Sequence, residues 1–220
     1  MTVRLTVLYA GRSLLFEHET VDDHIARHHA SGYVYEAAML AHLRRLPEVR
    51  GRWALDIGAH VGNHAAALLA GGEAAGVIAC EPTDRYNALV SALRHVEPLG
   101  SRWLAMRVAV GDGEHVELVP PPAGNSGMAR VAVRAEGRKT QRIDTIARGL
   151  DVGLIKVDVE GHELYVLRGA RKTLERCRPA LAVEGDAAIL SVELESLGYV
   201  LETSWNATPT HVFRHVEVVR

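Results

Sequence analysis

Three acids stand where chemistry is most readily done, at the ends of short apolar runs: Asp56, Glu81 and Asp158. Asp56 closes Trp53 to Ile57 and is followed by Gly58 and Gly62, spaced Gly-x-x-x-Gly. In an open α/β sheet, ligands bind beyond the carboxyl ends of the strands, and glycines let the backbone approach a ligand with no Cβ in the way. A pyrophosphate-binding turn wants Gly-x-Gly-x-x-Gly and a helix N-terminus, and an acid two residues before the first glycine would repel the phosphates. The same acid suits a cofactor bearing an ammonium group, such as the methionine part of S-adenosylmethionine. The plainer alternative is a glycine turn that Asp56 caps.

Glu81, followed by Pro82, ends the next apolar run and can take both hydroxyls of a ribose in a bidentate hydrogen bond. Ala109-Val110-Gly111-Asp112 ends a third, where Val110 and Asp112 could meet an adenine edge, although Gly111-Asp112-Gly113 is also a plain turn. A fourth cluster, Lys156-Val157-Asp158-Val159-Glu160-Gly161-His162-Glu163, gathers ionisable groups where a strand opens into a loop. A methyl acceptor would meet the cofactor there. Asp158 and Glu160 are candidates for the acceptor side, and His162 for a general base that titrates near neutrality. The competing reading makes Glu160 and Glu163 helix caps and His162 a solvated loop residue. Glu184-Gly185-Asp186 could form with Asp158 a carboxylate pair able to hold Mg²⁺, but a strand-end turn with Asp186 capping the next helix is the favoured reading, so no metal ligand is assigned.

These residues need a parallel sheet to hold them. Buried strands are predicted at Trp53 to Ile57, Gly76 to Cys80, Trp103 to Val110, Leu154 to Val159 and Ala180 to Glu184. Helices are predicted at Tyr35 to Leu46, His64 to Ala70, Asp84 to Val96, Leu164 to Arg176 and Ala187 to Leu197, with a short one at Thr145 to Arg148. Alternating strands and helices imply right-handed crossovers and helices on both faces. Tyr199 to Thr203 and His211 to His215 read as a closing antiparallel pair. Val116 to Val119 and Val131 to Ala135 read as extra strands around a flexible Pro120 to Met128 loop. Ahead of all this come two short strands, Val3 to Leu8 and Ser13 to Glu17, and a helix at Val21 to His29 with Asp22 and Asp23 in its first turn.

The chain of 220 residues suits one sizeable core and is short for two. We read it as a single domain, with residues 1–31 an N-terminal extension on a 32–220 core. A net charge of −2 argues against a nucleic-acid surface. Two distant cysteines, Cys80 and Cys177, make no disulfide framework. No uniformly apolar span or leader is visible, so a cytoplasmic location without membrane contact is expected.

Tyr35-Glu36, Leu55-Asp56-Ile57-Gly58-Ala59-His60-Val61-Gly62-Asn63, Cys80-Glu81-Pro82, Ile155 to Glu163, and Val166-Leu167-Arg168-Gly169-Ala170 together resemble the FkbM family of methyltransferases, from about Gly32 to the C-terminus. The resemblance implies a class I methyltransferase Rossmann-like fold, mostly parallel with a C-terminal antiparallel hairpin. It also implies S-adenosylmethionine as donor and an oxygen acceptor on a sugar or other secondary metabolite. By position, Glu36, Asp56, Gly58, Ala59, His60, Gly62, Asn63, Glu81 and Pro82 fall to the cofactor side. Asp158 borders both cofactor and acceptor, and the stretch to Glu163 faces the acceptor. His60 stands where the family usually has Asn. Residues 1–31, 120–128 and 205–209 are expected to select the acceptor, with Trp205 either stacking on it or buried in the hairpin. The N-terminal strands and first helix offer a surface for a homodimer. Two other classes compete: a nicotinamide-dependent oxidoreductase, which the glycine spacing and Asp56 disfavour, and a binding module without catalysis, which the intact acids disfavour.

Overall fold

The computed structural model describes residues 2–20, 23–120, 130–205 and 209–218. Val21 and Asp22, nearly all of the 120–128 loop and the middle of the 205–209 stretch lie outside the described residues.

A seven-stranded sheet carries the fold. Its parallel centre is β3 (Trp53–Ile57), β4 (Gly76–Cys80), β5 (Trp103–Met106), β9 (Val152–Val157) and β10 (Ala180–Glu184). Helices cover both faces, which is why these strands read as continuous apolar runs. The spatial order is β5-β4-β3-β9-β10, then β12 (Thr210–His215) and β11 (Tyr199–Trp205). β12 runs antiparallel to both β10 and β11, so the predicted C-terminal pair is present, with its second strand on the inside. The chain travels outward from β3 to β5 and then resumes at β9 on the other side. The order therefore reverses between β3 and β9, and such a reversal opens a crevice at the carboxyl ends.

One face buries α2 (Ala37–Arg45), α3 (Asn63–Gly71) and α4 (Tyr86–Val96). α3 is buried almost all round, so its alanines let it sit close on the sheet. The other face carries α5 (Ile143–Ile146), α6 (Glu163–Arg168), α7 (Arg171–Cys177) and α8 (Ala187–Glu195). The predicted N-terminal hairpin forms as β1 (Val3–Tyr9) and β2 (Arg12–His18) around Ala10 and Gly11, both at positive φ, the geometry of a two-residue type I′ turn. With α1 (His24–Ala30), whose N-cap is Asp23, it packs over α3 and α4. A small antiparallel sheet, β7 (Arg130–Val133), β6 (His115–Val119) and β8 (Arg138–Lys139), fills the insertion before α5.

Three sequence expectations change. The third strand stops at Met106, and Val110 instead bridges Gln141. β9 stops at Val157, so Asp158 lies just past the strand. The helix expected over Leu164 to Arg176 is two helices. The Asp144 carboxylate accepts from Lys172 N–H and from Thr173 N–H and hydroxyl, capping α7 from another part of the chain. Gly169 packs so closely on the 111–114 turn that a Cβ there would stand 2.0 Å from the Gly111 carbonyl oxygen. Periodicity alone cannot reveal a cap that arrives from 28 residues away.

Candidate active site

The site begins with strand register. Asp56 pairs with Ala79 on one side and Lys156 on the other, and Lys156 pairs with Ala182. Neighbours in register point to the same sheet face, so Asp56 and Lys156 lie side by side under α2 and α3. One step further along, Asp158 N–H continues the ladder to the Ile57 carbonyl at 3.0 Å. Gly58 sits beside it at φ +85°, where an added Cβ would fall 1.8 Å from the Asp158 carbonyl oxygen. Glycine is required here by conformation and by contact.

Lys156 is 2% exposed. Its Nζ lies 3.0 Å from Asp158 Oδ2 and 3.8 Å from Asp56 Oδ1. Burial opposes the ammonium, but Asp158 and Asp56 outweigh it and hold the lysine charged. Burial likewise opposes the Asp158 carboxylate, yet Lys156 and a hydrogen bond with Glu184 keep its pKa below the ordinary range. Glu184 moves the other way. Desolvation and the Asp158 charge raise it to about 9, so it carries the proton of the pair. Glu160, at φ +57°, is raised by burial and by Asp158 and Glu163. Asp56 is fully buried and neither carboxylate oxygen accepts a hydrogen bond among the described residues. A buried carboxylate in that condition is costly unless something else meets it.

The loop after β3 is held by Glu81. Its Oε2 accepts His60 N–H at 2.8 Å, and its Oε1 accepts Thr83 N–H at 2.9 Å and the Thr83 hydroxyl at 2.5 Å. Pro82 follows, half-buried. His60 is at φ +50°, and burial pushes its pKa down to about 4, so the ring is neutral at pH 7. Ala59 is buried beneath the loop. Gly62, at φ +90°, lets α4 approach, since a Cβ would come within 3.1–3.3 Å of Leu89 and Ala92. Glu36, at φ +54°, meets His64 Nε2 at 2.9 Å, and both side chains are nearly buried. Positive φ values, uncommon outside glycine, thus recur at Glu36, His60 and Glu160, on the segments that carry the strand-end acids or pack beside them.

Two predicted residues are placed differently. The Asn63 side chain turns to the N-terminal segment: Oδ1 accepts Tyr35 N–H at 3.0 Å and bonds His29 Nε2 at 2.9 Å, while Nδ2 donates to the Tyr35 carbonyl at 3.0 Å. With those bonds made, it locks the loop rather than reaching a ligand. His162 is 3% exposed, so it is no solvated loop residue. Its Nε2 lies 2.6 Å from Glu114 Oε1 and its ring stacks on Tyr165. It ties the loop after β9 to the 111–114 turn. In that turn Asp112 donates its N–H to Glu114 and its carboxylate meets Arg142 at 3.1 Å, beside a cavity of about 450 Å³. Val110 is buried next to it.

Lys156 and His64 are the functional neighbours that the motifs do not reveal, and Glu184 enters them only as part of a candidate Mg²⁺ pair. Lys156 was legible in principle: two residues before Asp158 on a strand means the same face. His64 was not, because its partner Glu36 is 28 residues away. Asp158 and Glu184 do come together, but around a proton and the Lys156 ammonium. Asp186 caps α8 by accepting Ala188 and Ile189 N–H. Among the described residues no group of three or more His, Cys, Asp or Glu is arranged to hold a metal ion, and no helix is long and apolar enough to cross a membrane.

The methyltransferase FkbM domain family matches residues 56–204 of the chain. No curated protein matches. Among solved structures, the methyltransferase FkbM from Methylobacillus flagellatus KT is 20% identical, with a TM-score of 0.57 over 87% of this chain and 52% of that one. The chain therefore spans about half the length of that relative. A protein of the NADB-Rossmann superfamily from Streptococcus agalactiae (13% identical, TM-score 0.53, 80% of this chain and 67% of that) shares the fold. So does precorrin 8w decarboxylase from Methanobacterium thermoautotrophicum (13%, TM-score 0.51, 81% and 90%). The fold is that of Rossmann-like methyltransferases, and the chain belongs to the methyltransferase FkbM domain family.

Proposed function

We propose that this chain is an S-adenosylmethionine-dependent O-methyltransferase acting on a hydroxyl or carboxyl of a small molecule, such as a sugar or secondary-metabolite scaffold. The observation that carries the reading is Asp56: a wholly buried carboxylate with no hydrogen bond among the described residues, at the carboxyl end of β3 where the strand order reverses. Such a group fits an ammonium, and Glu36, paired with His64, adds a second acid at that end. Glu81 has three of its roughly four lone-pair sites engaged, which leaves capacity for a ribose hydroxyl. Val110 supplies an apolar neighbour for the base, with Asp112 at its edge.

When bound, S-adenosylmethionine supplies a methyl group already activated on a sulfonium. The chain's own work is alignment, which can account for much of the rate in such a displacement. Asp158 and Glu160 border the acceptor side, and His162 positions their loop through Glu114. A small acceptor rather than a nucleic acid agrees with the net charge of −2, and two buried free thiols suit a cytoplasmic setting.

Calorimetry with S-adenosylmethionine and S-adenosylhomocysteine is the direct test. Binding of neither by the folded protein defeats the reading. A mass-spectrometric screen of hydroxylated and carboxylated acceptors tests the oxygen specificity, and methylation confined to nitrogen defeats that part alone.

A further inference from the structure

Three carboxylates and one ammonium meet at the carboxyl ends of β3, β9 and β10. Lys156 reaches Asp158 and Asp56, and Glu184 stands beside Asp158, one step beyond the Val157–Val183 pair that joins β9 to β10. Fully ionised, the three acids against one lysine would leave two negative charges uncompensated, with Asp56 and Lys156 both buried. Surrounding elements offer little relief. Glu36 before α2 pairs with His64 of α3. Glu160 on the loop after β9 adds another acid. His60 on the loop after β3 is neutral through burial. From β12, Thr210 stands in register with Glu184, and His211 bonds the Gly185 carbonyl at 3.0 Å. Like charges this close cannot both remain ionised, and a shared proton is the usual outcome.

A second observation says what would complete the balance. Asp56 is fully buried beside Lys156, and among the described residues it accepts no hydrogen bond. A cationic ligand is what the group lacks. We infer that the Asp158–Glu184 pair is a proton store that answers to the donor's charge: Glu184 holds a proton until a cationic donor binds, and then releases it to solvent. The inference rests on the donor reading above. Its consequence is a second carboxylate beside the acceptor when the donor is in place. As the acceptor oxygen forms its bond to the methyl carbon and the carbon–sulfur bond breaks, the hydroxyl proton passes to that pair. The opposite directions in which Asp158 and Glu184 titrate agree with one proton between them.

S-adenosylmethionine and S-adenosylhomocysteine differ in the charge on sulfur, so they make a matched pair of probes. Calorimetry of each with the whole chain at pH 8, in phosphate and in Tris, counts the protons released. Binding of S-adenosylmethionine should release about half a proton or more beyond S-adenosylhomocysteine. The preference for the methylated form should also rise with pH, by up to about tenfold per unit until Glu184 is fully ionised. Glu184→Gln, which keeps the shape of the protonated acid, should remove both effects. Equal proton counts for the two ligands in the unmodified chain overturn the inference and leave the donor reading standing. A difference that survives Glu184→Gln places the proton elsewhere and overturns it as well. Binding of neither ligand defeats the donor reading, and the inference with it. Should Glu184→Gln fail to fold, the counts on the unmodified chain still decide.

Discussion

Asn63 and Tyr35 exchange a pair of hydrogen bonds, side-chain amide against backbone N–H and C=O, each at 3.0 Å and fully buried. The first residue of α3 is thereby clamped to the chain entering α2, and His29 adds a third bond from α1. Asn63→Ala strands three buried polar groups and should destabilise the fold by about 2–4 kcal/mol. Urea denaturation measures this, and a change near zero would show that water replaces the clamp.

His29 gives the clamp a pH dependence. Its Nε2 donates to the Asn63 oxygen, so its Nδ1 accepts from His18 Nε2 at 2.9 Å, which requires a neutral ring. Burial pushes the His29 pKa from 6.5 to about 4. The unfolded chain takes up the proton first. The stabilisation is therefore present above pH 6.5 and lost as pH falls toward 4, by as much as about 3 kcal/mol. Glu184, raised in the fold, works in the opposite sense from pH 4.5 upward. The useful measurement is thus a difference of slopes: stability against pH should fall less steeply toward acid in His29→Gln than in the unmodified chain. Identical slopes would remove His29 as the titrating group.

Gly58→Ala drives a methyl group into the Asp158 carbonyl, at a φ that side chains rarely adopt. We expect a loss of more than about 3 kcal/mol in stability, or a folded protein whose donor affinity drops at least tenfold. Thermal melting and calorimetry on one preparation distinguish the two results. Normal values in both would mean that the crevice is more open than the contact implies.

Glu81→Gln is a sharper probe than alanine. Both carboxylate oxygens accept from donors, so the new NH₂ must face either His60 N–H or the Thr83 N–H and hydroxyl. Donor binding should weaken by about 1–3 kcal/mol. An unchanged dissociation constant would take Glu81 out of the ribose role.

His162→Ala tests whether the ring acts as a base or as a fastener. Its bond to Glu114 and its stacking on Tyr165 favour the fastener. Melting temperature should drop while turnover stays within about tenfold, whereas a general base would cost about a hundredfold. A large loss of turnover with unchanged stability would restore the catalytic role.

The strands around the site were legible because their apolar runs are short and end abruptly at acids. β3, β4 and β10 fall where the sequence puts them. Long-range capping was not legible, since nothing near Gly169 announces that Asp144 will cap the next helix. The same limit governed the site. Asp56, Glu81 and Asp158 stood out as strand-end acids. Glu184 gains its place beside Asp158 only from the register between β9 and β10, and the Asn63 side chain turns to a partner in the N-terminal segment.

The contact between Gly58 and the Asp158 carbonyl also has a mechanical side. With no side chain between them, the turn that would grip the donor and the turn that would meet the acceptor touch backbone to backbone. Neither can advance without the other giving way, so a shift of one turn is passed directly to the other.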